Sequence, residues 1–90
     1  MNNNDYVIKI SHEKFPDGFS YVARGFNWVL CLELNTEDEV LKMSEALKKK
    51  YPNIVMELEN SIYGMKLYDA GDLEGMYECI NEFLKLWGIE

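Results

Sequence analysis

Apolar and polar residues alternate one by one over several short stretches of this chain. Over two longer stretches the apolar residues recur every three or four positions. The first period places side chains on opposite faces of a strand, the second along one face of a helix. From Tyr6 to about Ser11, Tyr6, Ile8 and Ile10 fall on one face, Val7 and Lys9 on the other. From Phe19 to Arg24, Phe19, Tyr21 and Ala23 alternate with Ser20, Val22 and Arg24. From Trp28 to Leu34, Trp28, Leu30, Leu32 and Leu34 oppose Val29, Cys31 and Glu33. Such alternation predicts half-buried strands with one wetter face.

Hairpin registers follow from the requirement that opposed residues share a face. A Gly25-Phe26 turn pairs Arg24 with Asn27, then Ala23 with Trp28, Tyr21 with Leu30 and Phe19 with Leu32. Two further strands, Ile54 to Glu59 and Ile62 to Tyr68, flank Asn60-Ser61. A turn there pairs Leu58 with Tyr63, Met56 with Met65 and Ile54 with Leu67. Val55, Glu57, Glu59, Gly64 and Lys66 then lie on the opposite face.

The first helix opens on Thr36-Glu37-Asp38-Glu39, a capping box with three acids at the positive helix end. Val40, Met43, Leu47 and Tyr51 follow at helical spacing, Lys48, Lys49 and Lys50 suit the negative end, and Pro52 stops the run. The second helix is capped by Asp69 or Asp72 and carries Leu73, Met76, Tyr77, Ile80, Phe83, Leu84 and Trp87 as its main stripe. Gly88 offers a left-handed stop, with Ile89 placed for the hydrophobic contact of a Schellman motif.

The order β-β-β-α-β-β-α predicts an α+β fold: one domain over residues 1–90, a five-stranded mixed sheet, and two helices on one face. The strand before the first helix and the strand after it should run parallel. Insertion of the first strand between those two, a ferredoxin-like variant, is the competing strand order. It is a likeness of architecture and carries no function.

Charge narrows the partners. Sixteen acids against nine bases leave a net charge of −7, spread along both halves of the chain. Such a surface repels phosphate backbones, which argues against direct nucleic-acid binding, and attracts basic protein surfaces. No apolar run is long enough to span a bilayer and no cationic leader precedes one, so neither membrane nor secretion is expected. Cys31 and Cys79 lie in apolar segments without CxxC spacing and read as reduced thiols of a cytoplasmic protein.

Chemistry is sparse. His12, the only histidine, sits at a strand end beside Glu13 with no nucleophile or orienting residue near it in sequence. Glu33, Glu57 and Glu59 would cluster if the strands that carry them were neighbours. That set could serve acid–base work or a hard cation, although alternate glutamates are commonly a solvated face. No phosphate loop, nucleophile elbow, zinc motif or calcium loop occurs. The chain therefore reads as a non-enzyme with no cofactor and no metal.

Two surfaces remain as binding candidates. Val7, Val22, Val29, Cys31 and Val55 would form an apolar centre on the open sheet face, rimmed by Glu33, Glu57 and Glu59. On the last helix, Gly75, Cys79 and Leu86 broaden the apolar arc beyond what one sheet requires. The candidate residues are thus Val29, Cys31, Glu33, Val55, Glu57, Glu59, Cys79 and Leu86, with a two-fold homodimer as one use of either surface. A short, acidic, aromatic-rich chain without catalytic residues fits a protein-binding inhibitor or adaptor. Examples are an anti-defence protein of a phage, anti-CRISPR-like and mimicking nucleic-acid charge, or an immunity protein blocking a basic toxin. The alternative is a small-ligand-binding regulatory domain, with Tyr and Trp lining a pocket between sheet and helices.

Overall fold

The computed structural model describes residues 4–24, 28–61 and 64–89. In chain order these form β1 (Asp5–Ser11), β2 (Phe19–Tyr21), β3 (Ala23–Arg24), β4 (Trp28–Glu33), α1 (Glu37–Lys50), β5 (Val55–Asn60), β6 (Leu67–Asp69) and α2 (Leu73–Leu86).

β1 is central because it is apolar on both faces: Val7, Ile8 and Ile10 are all fully buried. Its first half pairs antiparallel with β4, placing Asp5 opposite Glu33, Tyr6 opposite Leu32 and Val7 opposite Cys31. Its second half pairs with β2, Lys9 opposite Tyr21 and Ser11 opposite Phe19. Along its other edge it pairs with the whole of β5, Ile8 opposite Leu58 and Ile10 opposite Met56. The first strand therefore does lie between the strands flanking α1. Both of those run antiparallel to β1, and so parallel to each other with β1 between them.

Three details depart from the sequence reading. The strand from Phe19 to Arg24 is broken at Val22, which makes six strands of five. It fills the gap where β1 and β4 diverge: the Val22 amide donates to the Ile8 carbonyl (2.9 Å) and its carbonyl accepts from the Leu30 amide (2.8 Å). Arg24 then pairs with Trp28 and Ala23 with Val29, while Tyr21 and Phe19 pair with β1 and not with Leu30 and Leu32. The proposed turn residues Gly25, Phe26 and Asn27 lie outside the described residues. This register sends Val22 into the core and Tyr21 to the wet face, the reverse of the expectation.

Among the described residues the second hairpin does not form. Leu58 and Met56 pair with β1, and Leu67 runs parallel to β4 opposite Val29. The expected partner Tyr63 lies outside the described residues. The Ser61 amide donates to the Asp5 carbonyl (2.8 Å), which extends the pairing with β1 by one residue, and Gly64 turns at φ +86, a conformation open to glycine. Alternation fixes which face a residue takes, not which strand it pairs with.

Met43 and Leu47 of α1 and Met76, Ile80, Phe83 and Leu84 of α2 share one cluster with Ile8, Ile10, Val22, Leu30, Leu32 and Met56. Both helices therefore cover one face of the sheet, as expected. The caps match too. Asp72 accepts from the Gly75 amide (2.8 Å), and at the far end the Gly88 and Ile89 amides donate to the Lys85 and Leu84 carbonyls (3.0 and 2.9 Å). Those two bonds define the Schellman motif, with Ile89 buried.

At α1, the Thr36 hydroxyl accepts from the Glu39 amide (3.2 Å), and the Glu39 carboxylate reaches back to the Asn35 amide (3.2 Å). Thr36→Ala should cost about 1 kcal/mol, read as a lower urea midpoint at unchanged slope. A wild-type midpoint would mean that the cap contributes nothing.

Candidate functional site

On the sheet face away from the helices, the register sets side chains in rows. Phe19, Ser11 and Val55 form one, Tyr21, Lys9 and Glu57 the next, then Cys31, Val7 and Glu59, and finally Glu33 beside Asp5. The Tyr21 hydroxyl donates to Glu59 (2.9 Å), and Lys9 lies 3.8 Å from the same carboxylate and 4.5 Å from the centre of the Phe19 ring. The hydrogen bond to Glu59 is the main cause that raises the Tyr21 phenol, with burial and the carboxylate charge adding to it.

Glu57 and Glu59 thus share a strand face with Lys9, while Glu33 stands across β1 from them, opposite Asp5. The expected three-carboxylate cluster does not form, because β1 separates its members. Among the described residues no group of three or more His, Cys, Asp or Glu could hold a metal ion. His12 belongs to a turn, where its Nδ1 accepts from the Lys14 amide (3.1 Å).

The apolar centre of this face is also different from the expectation. Val22 belongs to the helix-side core, and Val7 and Cys31 are buried although they stand outside that core. Val29 is half-buried, and only Val55, at 61 % exposure, is open. The exposed apolar residues of this face are thus Val55 and its row neighbour Phe19, in place of the expected five-residue centre. Burial, reinforced by the charges of Asp5 and Asp69, pushes the Cys31 thiol up to about 11. Cys31 and Cys79 are both free. Iodoacetamide at neutral pH should label half-buried Cys79 well before Cys31, and reductant should leave the melting temperature unchanged. Equal labelling rates by mass spectrometry would contradict the burial of Cys31.

The second surface is α2. Its outward side carries Glu74, Glu78 and Glu82 four residues apart, all exposed, and the same row ends on Leu86, 85 % exposed. No ion pair among the described residues involves these three glutamates. Cys79 lies on the flank of this row; burial raises its thiol most, Arg24 opposes that, and Glu82 and Glu78 add to it. Arg24 itself is engaged with Tyr68, its guanidinium 4.7 Å from the ring centre and bonded to the hydroxyl. Of the sequence candidates, then, Leu86 and Cys79 share one surface, and Val29, Glu33, Val55, Glu57 and Glu59 another, with Cys31 buried beneath it. The glutamate row was visible in the sequence as a four-residue recurrence, but its members read only as the polar remainder of an amphipathic helix.

A cleft of about 300 Å³ lies where β4 meets the starts of both helices, lined chiefly by Leu32, Leu34, Met43 and Leu73, with Glu39 and Lys42 also present. No Tyr or Trp lines it, whereas Tyr77 lines a cleft of about 450 Å³ beside α2 and Tyr51 one of about 380 Å³ between α2 and the start of β5. No helix of the described residues is long and apolar enough to cross a membrane. Comparison with protein-family models, curated proteins and solved structures finds no match.

Proposed function

We propose that this chain is a small acidic protein-binding inhibitor or adaptor that engages a basic surface of a partner through the outward side of α2. The observation that carries this reading is the row Glu74, Glu78, Glu82 and Leu86. Like charges four residues apart weaken a helix by about 0.2–0.5 kcal/mol per pair; the helix dipole offsets this at Glu74 in the first turn, whereas the Glu78–Glu82 pair has no such offset. Facing arginine and lysine, the row becomes favourable, and it steers encounter as well as contact. Leu86 supplies an apolar contact at its end, of the kind that excludes water from neighbouring charge pairs. Ridge against ridge would oppose glutamate to glutamate, so a second copy is the poorer occupant. An anti-defence protein presenting nucleic-acid-like charge, or an immunity protein against a basic toxin, would use such a ridge directly.

Capture from an extract of the source cell tests this. Wild-type protein should retain a defined basic protein that is released by raised salt. Glu78→Lys combined with Glu82→Lys should lose that protein while keeping the wild-type melting temperature. Retention of the same proteins by wild type and variant alike would reject the α2 ridge as the binding surface.

A further inference from the structure

We infer that the outer edge of β5 is a strand-addition site for an extended partner segment that alternates basic and apolar residues. This goes beyond the reading of α2 and uses a different surface. β5 pairs on one side only, with β1, and no described strand lies on its other side. Which of its backbone groups face outward follows from two hydrogen bonds. The Ile8 carbonyl is directed at Val22, away from β5, and the Asp5 carbonyl at Ser61, on the β5 side. Alternation then directs Val7, Lys9 and Ser11 at their opposite residues Glu59, Glu57 and Val55. The amides and carbonyls of Met56, Leu58 and Asn60 are left facing the open edge.

The side chains flanking that edge define its occupant. On the wet face stand Val55 and Glu57, both exposed, with half-buried Glu59. Between the end of α1 and the start of β5 lies a groove of about 440 Å³, lined chiefly by Tyr51, Pro52, Ile54 and Met56 and reached by Val55 and Glu57. A strand added here would present one set of alternate side chains to Val55 and Glu57, Glu59 being already held by Lys9 and Tyr21, and the other to the groove. Lysine or arginine suits the first set, and valine, isoleucine or leucine the second.

A second copy of the chain suits the edge poorly. In antiparallel pairing of β5 with itself, the two registers of longest overlap centre on Glu57 and Leu58. Each of these registers sets a glutamate directly against a glutamate, and opposed like charges destabilise a ladder. The same carboxylates protect the free edge from self-pairing and select a basic strand.

The test uses the full chain and a capped peptide of about ten residues that alternates lysine and valine, a length that spans one strand. A control peptide of the same composition has its lysines and valines in separate blocks. In hydrogen-exchange NMR the alternating peptide should slow exchange of the Met56, Leu58 and Asn60 amides by about tenfold or more, and the block peptide should not. Glu57→Lys should weaken binding by about tenfold, because an unlike cross-strand pair becomes a like one. Asn60→Pro, which deletes one outward amide at the strand end, should also weaken it while the melting temperature holds. Failure of the peptide to bind, equal binding of both peptides, or protection elsewhere would each overturn the assignment. Loss of binding in Glu78→Lys/Glu82→Lys with β5 variants unaffected would also overturn it while supporting the α2 ridge. Peptide binding that survives that double substitution, together with loss of the captured basic protein, would leave both sites standing.

Discussion

Val22→Asp is expected to leave the chain largely unfolded at room temperature, with loss of the near-ultraviolet circular dichroism that a packed aromatic core gives. Val22 is fully buried, and its backbone joins β1 to β4 through bonds to both Ile8 and Leu30. A carboxylate at that position has Ile8, Leu30 and the α2 stripe as its surroundings and no cation within the core cluster. An unpaired buried charge costs several kcal/mol even after relaxation, and a protonated one still leaves a hydroxyl without a partner. Domain stabilities are typically about 5–15 kcal/mol in total, so a loss of about 4 kcal/mol or more consumes most of the margin in a chain this short. The same substitution would be tolerated if Val22 stood on the solvated face, as strict alternation with Phe19 and Tyr21 suggests. A Val22→Asp variant that melts cooperatively near the wild-type temperature would therefore reject the wedge of β2 and β3 between β1 and β4. Tyr21→Phe serves as the companion: it removes only the bond to Glu59 on the outer face, and should shift the midpoint by about 1 kcal/mol or less.

The contrast at Val22 and Tyr21 explains how far the sequence could be read. Both helices were legible to their caps, because capping boxes, dipole-matched charges and the Gly88 stop are local chemistry with fixed spacing. The α+β class and the shared helix face were legible as well, since they depend only on which residues are apolar. Partner choice between strands was not. In the segment from Phe19 to Arg24 the odd positions hold the larger apolar residues, yet the Tyr21 phenol needs a polar partner, which it finds in Glu59 across the outer face. Val22 then takes the core position. Likewise, Val7 read as one apolar residue on a wet face, whereas an apolar residue on each side of a strand marks the centre of a sheet. That signal was present, and it would have placed β1 between β4 and β5. The placement in turn separates Glu33 from Glu57 and Glu59, so the carboxylate cluster was lost with the strand order that suggested it.

The turn from His12 to Gly18 gives the second large effect. Phe15-Pro16-Asp17-Gly18 reads as chain punctuation, and nothing in its pattern marks Phe15 as a core residue. In the folded chain Phe15 is only 2 % exposed, stacked on Phe83 at 5.9 Å between ring centres and edge-on to Trp87 at 4.8 Å. The turn that carries it is closed on itself: the Phe15 amide donates to the His12 carbonyl, the Gly18 amide to the Phe15 carbonyl, and the His12 amide to the Gly18 carbonyl. Lys14 also bonds to the Gly88 carbonyl just beyond α2. A loop held this firmly cannot collapse into the space that a lost ring leaves, so Phe15→Ala should incur nearly the full cavity cost. That is about 3–5 kcal/mol for a buried aromatic, or a melting temperature lower by roughly 15 °C or more in a domain of this size. Of the ring's neighbours, Phe83 lies in the C-terminal half of α2 and Trp87 is its C-cap, so exchange protection should fall first at Leu84 to Leu86 and the Schellman bonds of Gly88 and Ile89. Phe19→Ala, at an exposed position on the outer face, should lower the melting temperature by only a few degrees. If the two alanine variants melt together, Phe15 is not the anchor that joins the first turn of the chain to its last helix.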